Sequence, residues 1–218
     1  MRGSRRGSVV VAVLPSLAAT MLPSVLRAYR TRHPEVSVGV RDGLSGHVLD
    51  LVRSGAVDLA LTVVDAVPDY LVATPVARDR FSCLLAPSHP WCGRQEVSWA
   101  ELADEPFVAF DHSSSVRSLT DQVLAERGVR LGPTTEASNI GAVAGLVAAD
   151  LGVSAAPGFV LPLMAFGGLA TLDLVDPVVE REICLLHDPR RPTTPDARAL
   201  VEMLRSAADY DIVLPPGA

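Results

Sequence analysis

The chain has 218 residues, of which 49% are hydrophobic and only 5% aromatic, and it carries a formal net charge of −6 at pH 7. That length supports a sizeable core and more than one lobe, while an acidic balance argues against a phosphate-tracking surface, which needs clustered Lys and Arg. The three cysteines, Cys83, Cys92 and Cys184, lack C-x-x-C spacing and imply neither a disulfide framework nor a zinc site; reduced thiols in a cytoplasmic protein fit this usage.

Met1 to Gly7 reads as a start or appended tail. Arg2, Arg5 and Arg6 precede an apolar stretch, which raises an export signal as an alternative. Against it, Val9 to Val13 is short and β-branched, Pro15 interrupts the run, and Leu17, Met21, Val25 and Tyr29 then recur every four residues as on an amphipathic helix. No apolar run reaches membrane-spanning length.

The pattern predicts a strand over 8–14 and a helix over 16–31, stopped at Arg32-His33-Pro34 because the residue before proline is pushed out of the helical region. A strand follows over 35–41, then a helix opened by Ser45, with Val48, Leu51 and Val52 on its buried face and Gly55 as its stop. Asp58 to Thr62 is the next strand. Over 70–86 two extended stretches, LVATPVA and FSCLLAP, are joined by Arg78-Asp79-Arg80, and a polar loop then runs to Val97. A short helix around 99–103 precedes a second alternation. Its strands fall at 107–110, 134–137 and 152–156, and its helices at 115–127, stopped by Gly128, and 139–149. Strands over 170–174 and 182–187 lead to Thr194-Pro195, a cap and first-turn proline for a helix whose buried stripe is Leu200, Met203 and Leu204. Strand and helix alternation of this kind defines an α/β fold with parallel strands.

The pieces VVVAVLPSLAATMLPSVLRAYRTRHPEV, LVRSGAVDLALT, LLAPSHPWCGRQEVSWAELADEPFV and LVAADLGVSAAPG, in this order and spacing, resemble the effector-binding domain of LysR-type transcriptional regulators from about residue 8 to 208. The resemblance implies two Rossmann-like subdomains joined by two crossover strands, as in type II periplasmic binding proteins. On this chain they are expected over 8–80 plus 187–209 and over 81–186, with a C-terminal tail over 210–218. It further implies a small-molecule effector held in the inter-lobe cleft and no catalysis. A homodimer is implied for this domain and a tetramer for the whole regulator. DNA would be bound only through a winged helix-turn-helix that this chain does not include.

Candidate effector-binding residues are the polar and backbone groups that follow strand ends, where helix N-termini favour an anion. From the first subdomain these are Ser16, Leu17, Ser45 and Thr62. From the second they are His112, Ser113 and Ser114, in a run with more donors than one cap uses, then Asn139, Gly158 and Phe159. For each serine and for Asn139 simple helix capping is the competing reading, for Thr62 an ordinary strand end, and for Phe159 plain core. A ligand with a carboxylate or similar acid group suits these donors, although Asp111 must be paired or turned away. No nucleophile elbow surrounds Ser16, no metal spacing occurs, and neither catalytic residue, metal nor cofactor is expected. Cys83 and Cys184 lie in the expected crossover strands, and buried packing is favoured there over redox sensing. A transporter's solute-binding protein and an enzyme of the same fold remain alternatives.

Overall fold

The computed structural model describes residues 7–63 and 67–206. The tails expected over 1–7 and 210–218 lie outside these residues, except for Gly7. The chain gathers into two compact units, the first running to Arg78 and resuming at Glu182, the second spanning Asp79–Arg181.

The first unit begins β1 (Ser8–Val13), α1 (Pro15–Ala19), α2 (Met21–Arg32), β2 (Ser37–Asp42), α3 (Ser45–Ser54) and β3 (Leu59–Thr62). The long strand β4 (Val72–Leu85) then carries the chain into the second unit. There follow β5 (Glu96–Ser98), β6 (Phe107–Phe110), α4 (Ser115–Glu126), β7 (Thr134–Ala137), α5 (Ile140–Ala148), β8 (Ser154–Pro157), α6 (Leu161–Met164) and β9 (Ala170–Val175). Finally β10 (Glu180–His187) returns the chain to the first unit, which α7 (Pro195–Arg205) completes.

In the first unit β1 pairs in parallel with β2 on one side and β3 on the other, and β10 runs antiparallel to β3. Val9, Val11 and Val13 are all fully buried, as is Ala12 between the last two. A strand covered on both faces has no need to alternate, which explains the unbroken apolar run. Leu17, Met21, Val25 and Tyr29 pack as one stripe, and the Tyr29 hydroxyl donates to the Asp196 carbonyl of α7 at 2.9 Å.

The helix expected over 16–31 is two helices broken at Thr20. Pro23 has no N–H to donate to the Ala19 carbonyl four residues back. At the same joint the Thr20 hydroxyl and amide both donate to the Ser16 carbonyl, at 2.7 and 3.1 Å. Downstream the punctuation is as expected: Gly55 adopts φ 71° at the end of α3, and Thr194 caps α7 by accepting from the Ala197 amide at 3.1 Å.

In the second unit β4 pairs antiparallel with β8 and β9, β5 joins β9 in parallel, and β6 and β7 form a parallel pair. The two stretches expected over 70–86 are one strand, and the short helix near 99–103 is a 3-10 turn over Glu101–Asp104. Trp99 is fully buried. Its indole N–H donates to the Pro177 carbonyl at 3.0 Å, and its ring centroid lies 5.9 Å from that of Phe81. Between α5 and β8 the chain runs hard against the start of β6. The Val153 amide donates to the Pro106 carbonyl at 2.9 Å, and Gly152 takes φ 143°, where a Cβ would sit 2.3 Å from the Pro106 oxygen.

Candidate functional site

In the first unit the polar candidates follow the ends of parallel strands. Leu14 donates its amide to the Leu61 carbonyl at 3.2 Å, which brings the corner between β1 and α1 beside the end of β3. Ser16 lies in the first turn of α1, 4% exposed, and Thr62 at the end of β3 is fully buried. Ser16 is not a cap: Leu14 holds the N-cap position with extended backbone and no side-chain bond. Leu17 is wholly buried, main chain included. The Thr62 hydroxyl makes one long bond, donating to the Val63 carbonyl at 3.3 Å. Ser45 is likewise the first residue of α3 rather than its cap, because Leu44 occupies that position. Its side chain is half-buried.

In the second unit the candidates separate into occupied and available groups. Asp111 is turned into its own loop, accepting from both the amide and the hydroxyl of Ser113. Ser114 caps α4 by accepting from the Val116 amide at 3.2 Å, and Asn139 caps α5 by accepting from the Gly141 amide at 2.7 Å. Of the three successive serines, one binds Asp111 and one serves as the cap, leaving Ser115 without either duty.

His112 is exposed, with its ring nitrogens 3.9 Å from Asp121 and 3.7 Å from Glu136. The cation of this cluster, Arg117, escaped sequence reasoning, although its i, i+4 spacing to Asp121 was a usable signal. Its guanidinium donates to Asp121 at 2.8 Å and to Glu136 and the Phe110 carbonyl at 3.0 Å. It is therefore neutralised locally. Gly158 and Phe159 follow β8; the Phe159 ring is buried, and both amides are engaged by β4, Gly158 on the Arg80 carbonyl at 3.0 Å and Phe159 on the Asp79 carboxylate at 2.8 Å.

Among the described residues no group of three or more His, Cys, Asp or Glu side chains is placed to hold a metal ion. Nor is any helix there long and apolar enough to cross a membrane. All three cysteines are free thiols, and only Cys92 is exposed. Burial, reinforced by Glu105, pushes the Cys83 thiol up to about 12, and burial with Glu182 nearby raises Cys184 as well. The thiolate is the reactive form, so both buried sulfurs are held in the unreactive one.

Two α/β units whose strand ends lead into hydroxyl-bearing helix starts are the frame of a ligand-sensing domain. A family model described as the LysR substrate binding domain matches residues 2–209, and the chain belongs to that family. Its fold is the type II periplasmic-binding-protein-like fold of LysR effector-binding domains. The effector-binding domain of QuiR in complex with shikimate superposes with a TM-score of 0.85 at 18% identity, covering 95% of this chain and all of that one. An OxyR variant from Corynebacterium glutamicum does so with a TM-score of 0.81 at 26% identity, covering 95% of this chain and 66% of that one.

In sequence, the HTH-type transcriptional regulator YbhD of Escherichia coli (strain K12) is 24% identical over 204 residues, covering 94% of this chain. The chain spans 64% of that relative's length. These relatives are transcriptional regulators, and the chain is an effector-binding regulatory domain; a transporter's solute-binding role is not favoured.

Proposed function

We propose that this domain binds a small molecule bearing a carboxylate or similar acid group and relays its presence to a DNA-binding segment outside this chain, acting in the cytoplasm without catalysing a reaction. The observation that carries the ligand reading is the placement of Ser16 and Thr62. Two hydroxyl-bearing residues are buried at neighbouring strand ends in an otherwise apolar setting, at the carboxyl edge where open α/β sheets take their ligands. In the second unit Ser115, Asn139 and the Gly158 turn occupy the corresponding ends of β6, β7 and β8. Asp111 is held within its own loop by the Ser113 amide and hydroxyl. The relay is supported by relatives named as HTH-type regulators that are longer than this chain. It requires a coupling of about 1 to 3 kcal/mol between effector and DNA.

Thermal-shift screening against aromatic, alicyclic and aliphatic carboxylates tests the ligand class. A ligand present at about 100 times its Kd adds about 2.7 kcal/mol, which raises Tm by roughly 5 to 10 °C in a chain of this size. Thr62→Val and Ser16→Ala should each cut that shift at fixed ligand concentration while leaving the unliganded Tm nearly unchanged. A panel in which amines shift Tm and acids do not overturns the ligand class.

The same reading makes the domain a homodimer, and the whole regulator a tetramer. The outer side of α2 beside β2 forms a hollow of about 670 Å³ rimmed by Arg27 and Arg30 and floored by Leu26, Val36 and Val38. α4 and β7 carry three carboxylates, Asp121, Glu126 and Glu136, against the one Arg117 guanidinium shared by Asp121 and Glu136. The first face is basic and the second has an excess of acidic groups, which suits a contact between two copies. In sedimentation velocity the wild-type domain should be dimeric, and Arg27→Glu with Arg30→Glu monomeric. A wild-type domain that stays monomeric at the highest soluble concentration refutes this contact.

A further inference from the structure

The second unit contains an ion pair that the ligand-contact reading leaves unused. Asp79 of β4 and Arg181 of β10 have side chains 0% and 1% exposed. The guanidinium grips the carboxylate with two bonds, Nε to Oδ1 at 2.9 Å and Nη2 to Oδ2 at 2.7 Å. The same Oδ2 accepts the Phe159 amide at 2.8 Å. One residue further on, the Arg80 carbonyl accepts the Gly158 amide at 3.0 Å. Two consecutive residues of β4 thus hold two consecutive amides of the turn after β8.

The flanking charges keep Asp79 in that place. Arg78-Asp79-Arg80 on β4 faces Glu180-Arg181-Glu182 on β10. Within the first unit Arg78 pairs with Glu182 at 3.0 Å, and within the second Arg80 pairs with Glu180 at 3.0 Å. Alternation along a strand sends the outer pairs to solvent and the middle pair inward. A slip by one residue sets Asp79 against Glu180 or Glu182 and Arg181 against Arg78 or Arg80, so like charges oppose a one-residue shift in either direction.

We propose that Asp79, clamped by Arg181, is the positioning residue of the candidate binding site: it fixes the backbone of the Gly158–Phe159 turn. This rests on the reading that the turn contacts the effector. A buried ion pair is weak as a source of net stability when set against an apolar pair of the same shape, whereas a carboxylate with three donors at 2.7 to 2.9 Å has no orientational freedom left. Turns after strands are ordinarily among the more mobile parts of a domain. Here Phe159 is anchored twice, by its buried ring and by its amide, and Gly158 is held in line beside it.

Amide hydrogen exchange resolved by residue tests the proposal without any ligand. In the wild-type domain the Phe159 amide should be protected like the strand amides of β6, and a rate like that of an unbonded, exposed loop amide overturns the proposal. In Asp79→Ala its exchange should accelerate at least about tenfold beyond any acceleration that Val108 and Ala109 of β6 share, the excess marking a local opening on top of the global loss of stability. Asp79→Asn keeps an acceptor oxygen and should restore most of the protection; if Asp79→Ala does not fold, Asp79→Asn and the wild-type rates decide the matter. Uniform acceleration across the unit, or none at Phe159, refutes positioning. The carboxylate panel run on the same variants separates the two readings. Loss of Phe159 protection with no acid bound by the wild type leaves positioning standing and removes the ligand reading, whereas an acid bound equally by wild type and Asp79→Ala overturns the positioning role in binding.

Discussion

Arg181→Met is expected to lower the unfolding free energy by about 3 to 5 kcal/mol, because it leaves the Asp79 carboxylate buried without its counter-charge. Methionine fills much of the volume of the arginine stem, so the loss is electrostatic rather than a cavity effect. The double variant Asp79→Leu, Arg181→Met should be more stable than Arg181→Met alone, since no charge is then left in the interior. What remains is the Phe159 amide without its acceptor, a penalty of about 1 to 3 kcal/mol. Urea unfolding of the two variants beside the wild type measures both quantities. If the double variant is no more stable than the single one, the destabilisation does not come from an unpaired buried charge.

Trp99→Ala should cost a comparable amount, about 3 to 5 kcal/mol, from the cavity left by a fully buried indole. The ring fills the space beside Phe81, and its N–H satisfies the Pro177 carbonyl. Trp99→Phe keeps part of the apolar contact, loses the bond, and should fall between wild type and alanine. The only other tryptophan is Trp91, so fluorescence during unfolding of Trp99→Ala reports Trp91 alone, and circular dichroism supplies an independent probe of the same transition. A loss below about 1 kcal/mol for Trp99→Ala would mean that the surrounding core closes over the gap.

Most of the alternation of strands and helices was legible because burial follows local periodicity: the stripe from Leu17 to Tyr29 and the unalternated valines of β1 are statements about faces that any packing must satisfy. The same stripe concealed the break at Thr20, since a period of four outweighed the Pro23 signal. Ser114, Asn139 and Thr194 were legible as caps from type and position. Ser16 and Ser45 were not in the cap position, because extended backbone at Leu14 and Leu44 places each serine one or two residues inside its helix.

Arg78-Asp79-Arg80 looked like a polar joint between two stretches. Its complement, Glu180-Arg181-Glu182, lies about a hundred residues away, and local patterning carries no information at that range. The family resemblance and the strand ends located the candidate site, but which hydroxyl is free there depends on tertiary partners. Ser113, spent on Asp111, could not be told from Ser115 by type.

Position 152 carries a consequence for reading mutational data. Its backbone runs so close to Pro106 that any side chain must push two main-chain segments apart, and φ 143° disfavours every residue but glycine. A saturation library scored by reporter output will therefore show the same intolerance at Gly152 as at a true effector contact. Scoring cellular abundance in parallel will tell them apart, since substitutions at Gly152 deplete the protein itself.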